Sequence, residues 1–80
     1  MSKITMYSTE WCSYCRTLKR AMTERGIGFA EIDIDSEPEA GATLEALTGG
    51  YRTVPTLDVC GKYLVNPKIA EVVEALELCN

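Results

Sequence analysis

Cys12 and Cys15 stand three positions apart in "EWCSYC" (10–15), close behind the short apolar run Ile4-Thr5-Met6-Tyr7. Two thiols at this spacing can hold a metal, brace a fold, or exchange electrons as a dithiol–disulfide couple. A structural zinc site takes four ligands, commonly as two close pairs. This chain has no histidine, and its other cysteines, Cys60 and Cys79, are isolated in sequence, so no metal site is expected. Cys60 reads as a small residue ending a strand and Cys79 as a thiol at a frayed chain end. Of the possible pairings among four cysteines, only Cys12–Cys15 is locally obvious.

Electron exchange fits the placement of the pair better. With a helix starting behind the apolar run, Cys12 lies among amides that no backbone carbonyl satisfies, at the positive end of the helix dipole. Cysteines in such settings have pKa values of roughly 3.5–7.5, against about 8.5 unperturbed. Cys12 is therefore expected to be a thiolate at neutral pH. Cys15 follows one turn deeper, where side chains at i and i+3 are neighbours and Cα atoms about 5–6 Å apart suit a disulfide. Cys12 would attack a target disulfide, and Cys15 or an external thiol would resolve the mixed disulfide. Ser13 and Tyr14 fill the spacer, either contacting substrate or simply completing the loop. Arg16, Lys19, Arg20 and Arg25 place half of the positive charge just behind the pair, as a thiolate-favouring face or as an ordinary solvated one.

The elements that must hold the pair follow from periodicity. "KITMYS" (3–8) reads as a short buried strand. Cys15, Leu18, Ala21 and Met22 recur at helical spacing up to Arg25, and Gly26 is a stop signal. "GFAEIDI" (28–34) alternates as a strand. Ser36-Glu37-Pro38-Glu39 reads as a capping box opening a second helix with an Ala40, Leu44, Leu47 stripe, ended by Gly49-Gly50. "TLDVC" and "YLV" flank a Gly61-Lys62 hairpin turn. Asn66-Pro67 then reads as N-cap and first position of a last helix carrying Ile69, Val72, Val73 and Leu76. The order βαβ, α, ββ, α predicts two parallel strands joined by a right-handed crossover and an antiparallel hairpin. Together they make a mixed four-stranded sheet with helices on both faces.

Composition narrows the class. Eighty residues at 46% apolar content make one small domain, 1–80, that buries roughly 60% of its unfolded surface. A net charge of −4 without a basic stretch gives no footprint for nucleic acid. No run approaches the ~20 apolar residues of a membrane span, and "MSKITMYS" is too short for a signal-peptide core. The chain reads as cytoplasmic, where a close cysteine pair is more often catalytic or metal-binding than structural.

"RTVPT" (52–56) gains meaning beside the cysteine pair. A strand, "WCSYC" opening a helix, "TVP" about forty residues further on, and a final hairpin and helix resemble the glutaredoxin branch of the thioredoxin fold over essentially the whole chain. That resemblance implies an α/β, thioredoxin-like (glutaredoxin) fold, β-α-β-α-β-β-α, with sheet order 2-1-3-4. It implies that Cys12 is the nucleophile, Cys15 the resolving thiol and Val54–Pro55 a cis bond beside them. The Val54 backbone would pair with substrate as a short β-ladder. Trp11, Ser13, Tyr14, Arg52, Thr53, Val54 and Pro55 become substrate-binding candidates, with Trp11 either a platform for a substrate thiol or a partly buried rim residue.

Two departures bear on substrate. Many glutathione-using members have a lysine where this chain has Thr9, and a Gly-Gly or Gly-Cys-Asp segment where it has "VNPK" (65–68). "GGYRTVPT" with "NP" before the last helix is more similar to mycoredoxins, which use mycothiol. The implied function is a monomeric thiol–disulfide oxidoreductase acting on protein disulfides or protein–small-thiol mixed disulfides, with no bound cofactor. Its co-substrate would be mycothiol, glutathione or a similar thiol, or a disulfide reductase would recharge it. The alternatives are an iron–sulfur carrier bridging two subunits, or an electron donor to ribonucleotide reductase recharged by thioredoxin reductase. Donors of that kind usually carry a "WSGF"-like segment, which this chain lacks.

Overall fold

Strand β1 (Ile4–Ser8) is apolar on both faces because it lies inside the sheet. It pairs in parallel with β2 (Ala30–Asp33) and antiparallel with β3 (Thr56–Val59), which carries β4 (Lys62–Val65) on its outer edge. The strand order is β2-β1-β3-β4. The computed structural model, which describes residues 3–50 and 53–79, interleaves these strands with α1 (Ser13–Glu24), α2 (Pro38–Leu47) and α3 (Ile69–Cys79). Both the thioredoxin-like fold and its sheet order are as expected.

Side-chain alternation along β1 divides the core. Ile4 and Met6, with Leu57 and Val59 of β3, pack against Cys15, Leu18 and Met22 of α1 and Val72 and Ala75 of α3. Tyr7 points to the other face, where Ile34 and Leu44 of α2 cover it. Burying each such aliphatic or aromatic side chain contributes about 1.5–3 kcal/mol. Helix α1 ends as its sequence predicts: Gly26 takes φ 70°, and the Gly26 and Ile27 amides reach back to the Thr23 and Met22 carbonyls.

Several local expectations shift. Ser36 does not cap α2. The Asp33 carboxylate accepts the Asp35 and Ser36 amides at 2.9 and 3.4 Å, so the chain turns first and the helix begins at Pro38 behind Glu37, whose side chain makes no cap hydrogen bond. Asn66-Pro67 does not open α3 either. Asn66 takes φ 48° and donates its amide to the Pro55 carbonyl at 2.7 Å, and the helix starts two residues later than expected. There the Glu71 carboxylate reaches back to the Lys68 amide at 2.9 Å, the returning half of a capping box. The hairpin turn is Cys60-Gly61 rather than Gly61-Lys62. Both residues have positive φ, 53° and 90°, the pairing a two-residue turn favours, and Lys62 already pairs with Val59.

The largest correction concerns Cys60 and Cys79, which are neither a strand residue and a free terminal thiol nor isolated in space. The β3–β4 turn and the C-terminal end of α3 meet at one pole of the sheet, and the two cysteines form a disulfide with Cα atoms 6.1 Å apart. Structural disulfides are uncommon in reducing compartments.

Closing this loop is expected to contribute about 2–4 kcal/mol, so Cys60→Ser should lower the denaturant midpoint accordingly, and dithiothreitol should do the same to the parent chain. An unchanged midpoint in both would show that the bond does not hold α3 in place. Leu57→Ala, at a fully buried central position, is expected to cost about 2–5 kcal/mol in the same measurement.

Candidate active site

The register of the central strands builds the site. Tyr7 of β1 lies opposite Thr56 of β3, so the chain leaves β1 toward Cys12 at the end where residues 53–55 enter β3. Two bonds fix that entering segment: the Thr56 hydroxyl donates to the Thr53 carbonyl at 2.6 Å, and Pro55 accepts the Asn66 amide. The Val54–Pro55 bond is cis, as the resemblance implied.

Cys12 is the N-cap of α1, with extended backbone (φ −83°, ψ 110°). Its Sγ accepts the Cys15 amide at 3.2 Å, taking the place that a serine or aspartate oxygen fills at most helix starts. The Cys12 thiol faces the Val54 carbonyl at 3.8 Å. Its own amide donates to the Thr9 carbonyl at 3.4 Å, which tightens the entry into the helix. Cys12 is 6% exposed and Cys15 fully buried, although both are free thiols. Burial, with the hydrogen bond to Cys12 second, pushes the Cys15 thiol up to about 12; a Thr9 backbone contact and the Lys19 charge act in the opposite direction.

Trp11, Cys12, Ser13, Tyr14, Thr53 and Val54 line a cleft of about 500 Å³. Six of the sequence-selected positions thus converge on one surface. Pro55 is buried behind the cleft rather than lining it, and Arg52 lies outside the described residues. Trp11 is 71% exposed, so the partly buried rim reading does not hold; its indole N–H donates to Asp35 at 2.8 Å, which sets the ring against the cleft. Tyr14 stands exposed on the other wall. Arg16 donates to the Glu10 carbonyl at 2.8 Å, bracing the loop, and Arg20 and Arg25 are solvated.

Sequence reading missed two features. One is the Trp11–Asp35 bond. The other is a polar group beneath α1, where Lys19 and Ser8 both reach Glu31 Oε2, at 2.8 and 2.6 Å. Lys19 first and Ser8 second hold the Glu31 carboxyl below its ordinary range. The alternation of Glu31 and Asp33 with Ile32 and Ile34 was the available signal, since it sends both acids to the α1 side of the sheet.

Comparison with known proteins agrees with this architecture. Residues 4–64 match the glutaredoxin family model. Mycoredoxin 1 of Corynebacterium glutamicum is 38% identical over 78 residues, 96% of each chain. Among solved structures, the glutaredoxin-like protein NrdH-redoxin from Escherichia coli superposes with a TM-score of 0.78 at 31% identity, covering 89% of this chain and 91% of that one. A buckwheat glutaredoxin–glutathione complex superposes with a TM-score of 0.76 at 25% identity, over 96% and 78% of the respective chains. With the family model matching residues 4–64 and a relative 38% identical over 96% of each chain, the chain belongs to the glutaredoxin family of small redox proteins.

Proposed function

We propose that this protein is a thiol–disulfide oxidoreductase in which Cys12 is the nucleophile and Cys15 the resolving thiol. The observation that carries the reading is the N-cap geometry: an exchangeable sulfur accepting the Cys15 amide at 3.2 Å, with a second, buried thiol one turn behind it. Cys12 stands at the helix start, where first-turn amides point at its sulfur, whereas burial keeps Cys15 protonated until it is needed.

The reaction runs in two exchanges. The Cys12 thiolate attacks one sulfur of a target disulfide, a mixed disulfide forms, and the other target sulfur leaves as a thiolate. Cys15 then attacks the Cys12 sulfur, releasing the second target thiol and leaving a Cys12–Cys15 disulfide. When the target is a protein already carrying a small thiol, an external thiol can replace Cys15 in the second step. The cleft suits both targets. Its Trp11 and Tyr14 walls are apolar faces with polar tips, and the Val54 backbone next to Cys12 is the element for a substrate strand to pair with.

The small thiol favoured is mycothiol. The chain is 38% identical to a mycoredoxin, and it lacks the lysine at Thr9 and the glycine-rich segment at 65–68 expected for glutathione. The protein acts as a monomer, since one chain supplies the whole cleft. It works in the cytoplasm against the reduced thiol pool, where the Cys60–Cys79 bond meets the same reductants. Among the described residues no helix is long and apolar enough to cross a membrane.

Cys12→Ser should abolish turnover of every disulfide substrate, and retained turnover would remove the assignment. Cys15→Ser should hold target proteins covalently on Cys12; it should keep activity on protein–small-thiol mixed disulfides and lose it on protein disulfides. For recharging, the oxidised protein should regain free thiols with mycothiol faster than with glutathione or with a thioredoxin reductase. Fastest recovery with the reductase would instead favour the ribonucleotide-reductase donor reading.

A further inference from the structure

The pole of the sheet away from the cleft holds a sulfur pair that the exchange scheme does not use. Cys60 and Cys79 are joined there. The Cys60 amide donates to the Lys3 carbonyl at 3.0 Å, ahead of β1, whereas Cys12 follows the far end of that five-residue strand. Strand residues at about 3.3 Å each put roughly 15 Å between the two sites, which keeps this bond out of reach of Cys12 in the same chain.

The two sulfurs are held differently. Cys60 is exposed, and a Cβ on neighbouring Gly61 would meet nothing within 4 Å, so the turn stands open to solvent. Its backbone is fixed without the disulfide: besides the bond to Lys3, the Gly61 amide donates to the Asp58 carboxylate at 2.8 Å, and Lys62 pairs with Val59. Cys79 instead ends α3, whose last turn is weakly attached. Past buried Ala75 its part in the core falls to half-buried Leu76, while Glu77 is exposed and Leu78 is 72% exposed. That turn carries no basic residue to offset the negative end of the helix dipole, and among the described residues no ion pair reaches Glu74 or Glu77. The disulfide is what ties this turn to the hairpin.

We infer that the Cys60–Cys79 bond is a second, reversible exchange site, open to low-molecular-weight thiols, and that it latches the last turn of α3 to the hairpin. Exposed disulfides are the ones that thiols open, whereas sealed structural ones resist. A small-thiol thiolate attacks the exposed Cys60 sulfur, the Cys60–Cys79 bond breaks, and Cys79 leaves with the electron pair and takes up a proton. A second small thiol attacks the small-thiol sulfur of the adduct, which frees Cys60 as a thiol and forms the symmetrical small disulfide. The protein pair is reduced by two electrons and the two small thiols are oxidised. In reverse, the small disulfide thiolates Cys60, and Cys79 displaces the small thiol to close the bond.

Opening the bond acts on one end of one helix. Cys60 stays on the sheet, and residues 76–79 come away from the hairpin. Val72 and Ala75 keep the rest of α3 on the core, so the cleft at the opposite pole keeps its shape. The latch therefore answers to the thiol pool without stopping the exchange at Cys12, and it stands apart from the reading of that exchange.

The test applies graded mixtures of reduced and oxidised glutathione to the full-length chain carrying Cys12→Ser and Cys15→Ser, so that every thiol change belongs to this pair. Free thiols are then alkylated and located by peptide mass spectrometry. The air-oxidised chain should start closed, show a glutathione adduct on Cys60 at intermediate mixtures, and have Cys60 and Cys79 alkylated together under reduced glutathione. Excess oxidised glutathione should close the bond again. Hydrogen exchange at the amides of 77–79 should quicken by about tenfold or more on opening, with β1 and β3 still protected. Cys79→Ser in the otherwise unaltered chain should show the same exchange pattern, with Cys12-dependent turnover within about twofold of the parent. A bond that glutathione neither opens nor re-forms, or adducts on Cys79 alone, would overturn the exchange site. Equal exchange at 77–79 in the open and closed chains would overturn the latch, as would loss of protection throughout the sheet or loss of turnover in Cys79→Ser.

Discussion

Every α-helix begins with amides that its own carbonyls cannot reach, and something else must accept them. In α1 one of these, the Cys15 amide, goes to the Cys12 sulfur at 3.2 Å. That single bond makes a structural requirement of the helix coincide with a chemical one. The cap must be an acceptor, and a thiolate is a better acceptor than a thiol. The placement of Cys15 one turn deeper, and of the cleft around Cys12, both follow from where this cap stands.

The two sulfurs differ by environment rather than by covalent structure. Cys12 faces the cleft and the Val54 carbonyl, whereas Cys15 is sealed between the sheet and α1 with a thiol pushed up to about 12. Both thiols are buried, but only Cys12 borders the cleft. The sheet supplies the rest. Antiparallel pairing of β1 with β3 delivers the cis Val54–Pro55 corner to Cys12, and the Asn66 amide ties β4 to that corner. The opposite pole, where Cys60 and Cys79 join, carries no part of the cleft and serves to hold α3 against the hairpin.

Much of this was legible in the residues. The element order and most of the helix stripes follow from periodicity, although Leu47 of the α2 stripe is exposed, whereas the grouping of Trp11, Cys12, Ser13, Tyr14, Thr53 and Val54 at one cleft was what the glutaredoxin resemblance implied. Local capping signals read less well, because other acceptors take those amides: Asp33, three residues earlier, takes that of Ser36 in a local turn, and Pro55, across the sheet, takes that of Asn66. The Cys60-Gly61 turn displaced the expected one because both its residues accept positive φ. Trp11–Asp35, Lys19–Glu31 and Cys60–Cys79 span 24, 12 and 19 positions, and only the assembled sheet brings them together; alternation along β2 put Glu31 on the α1 side but did not name its partner.

The central claim is that the first-turn amides make one sulfur reactive while burial silences its neighbour. Site-resolved alkylation of the reduced, folded chain with limiting iodoacetamide at neutral pH, read by mass spectrometry, tests it most directly. The account predicts that Cys12 is modified first, with Cys15 untouched until the protein is unfolded. Equal labelling of the two, or Cys15 labelled before Cys12, would contradict it.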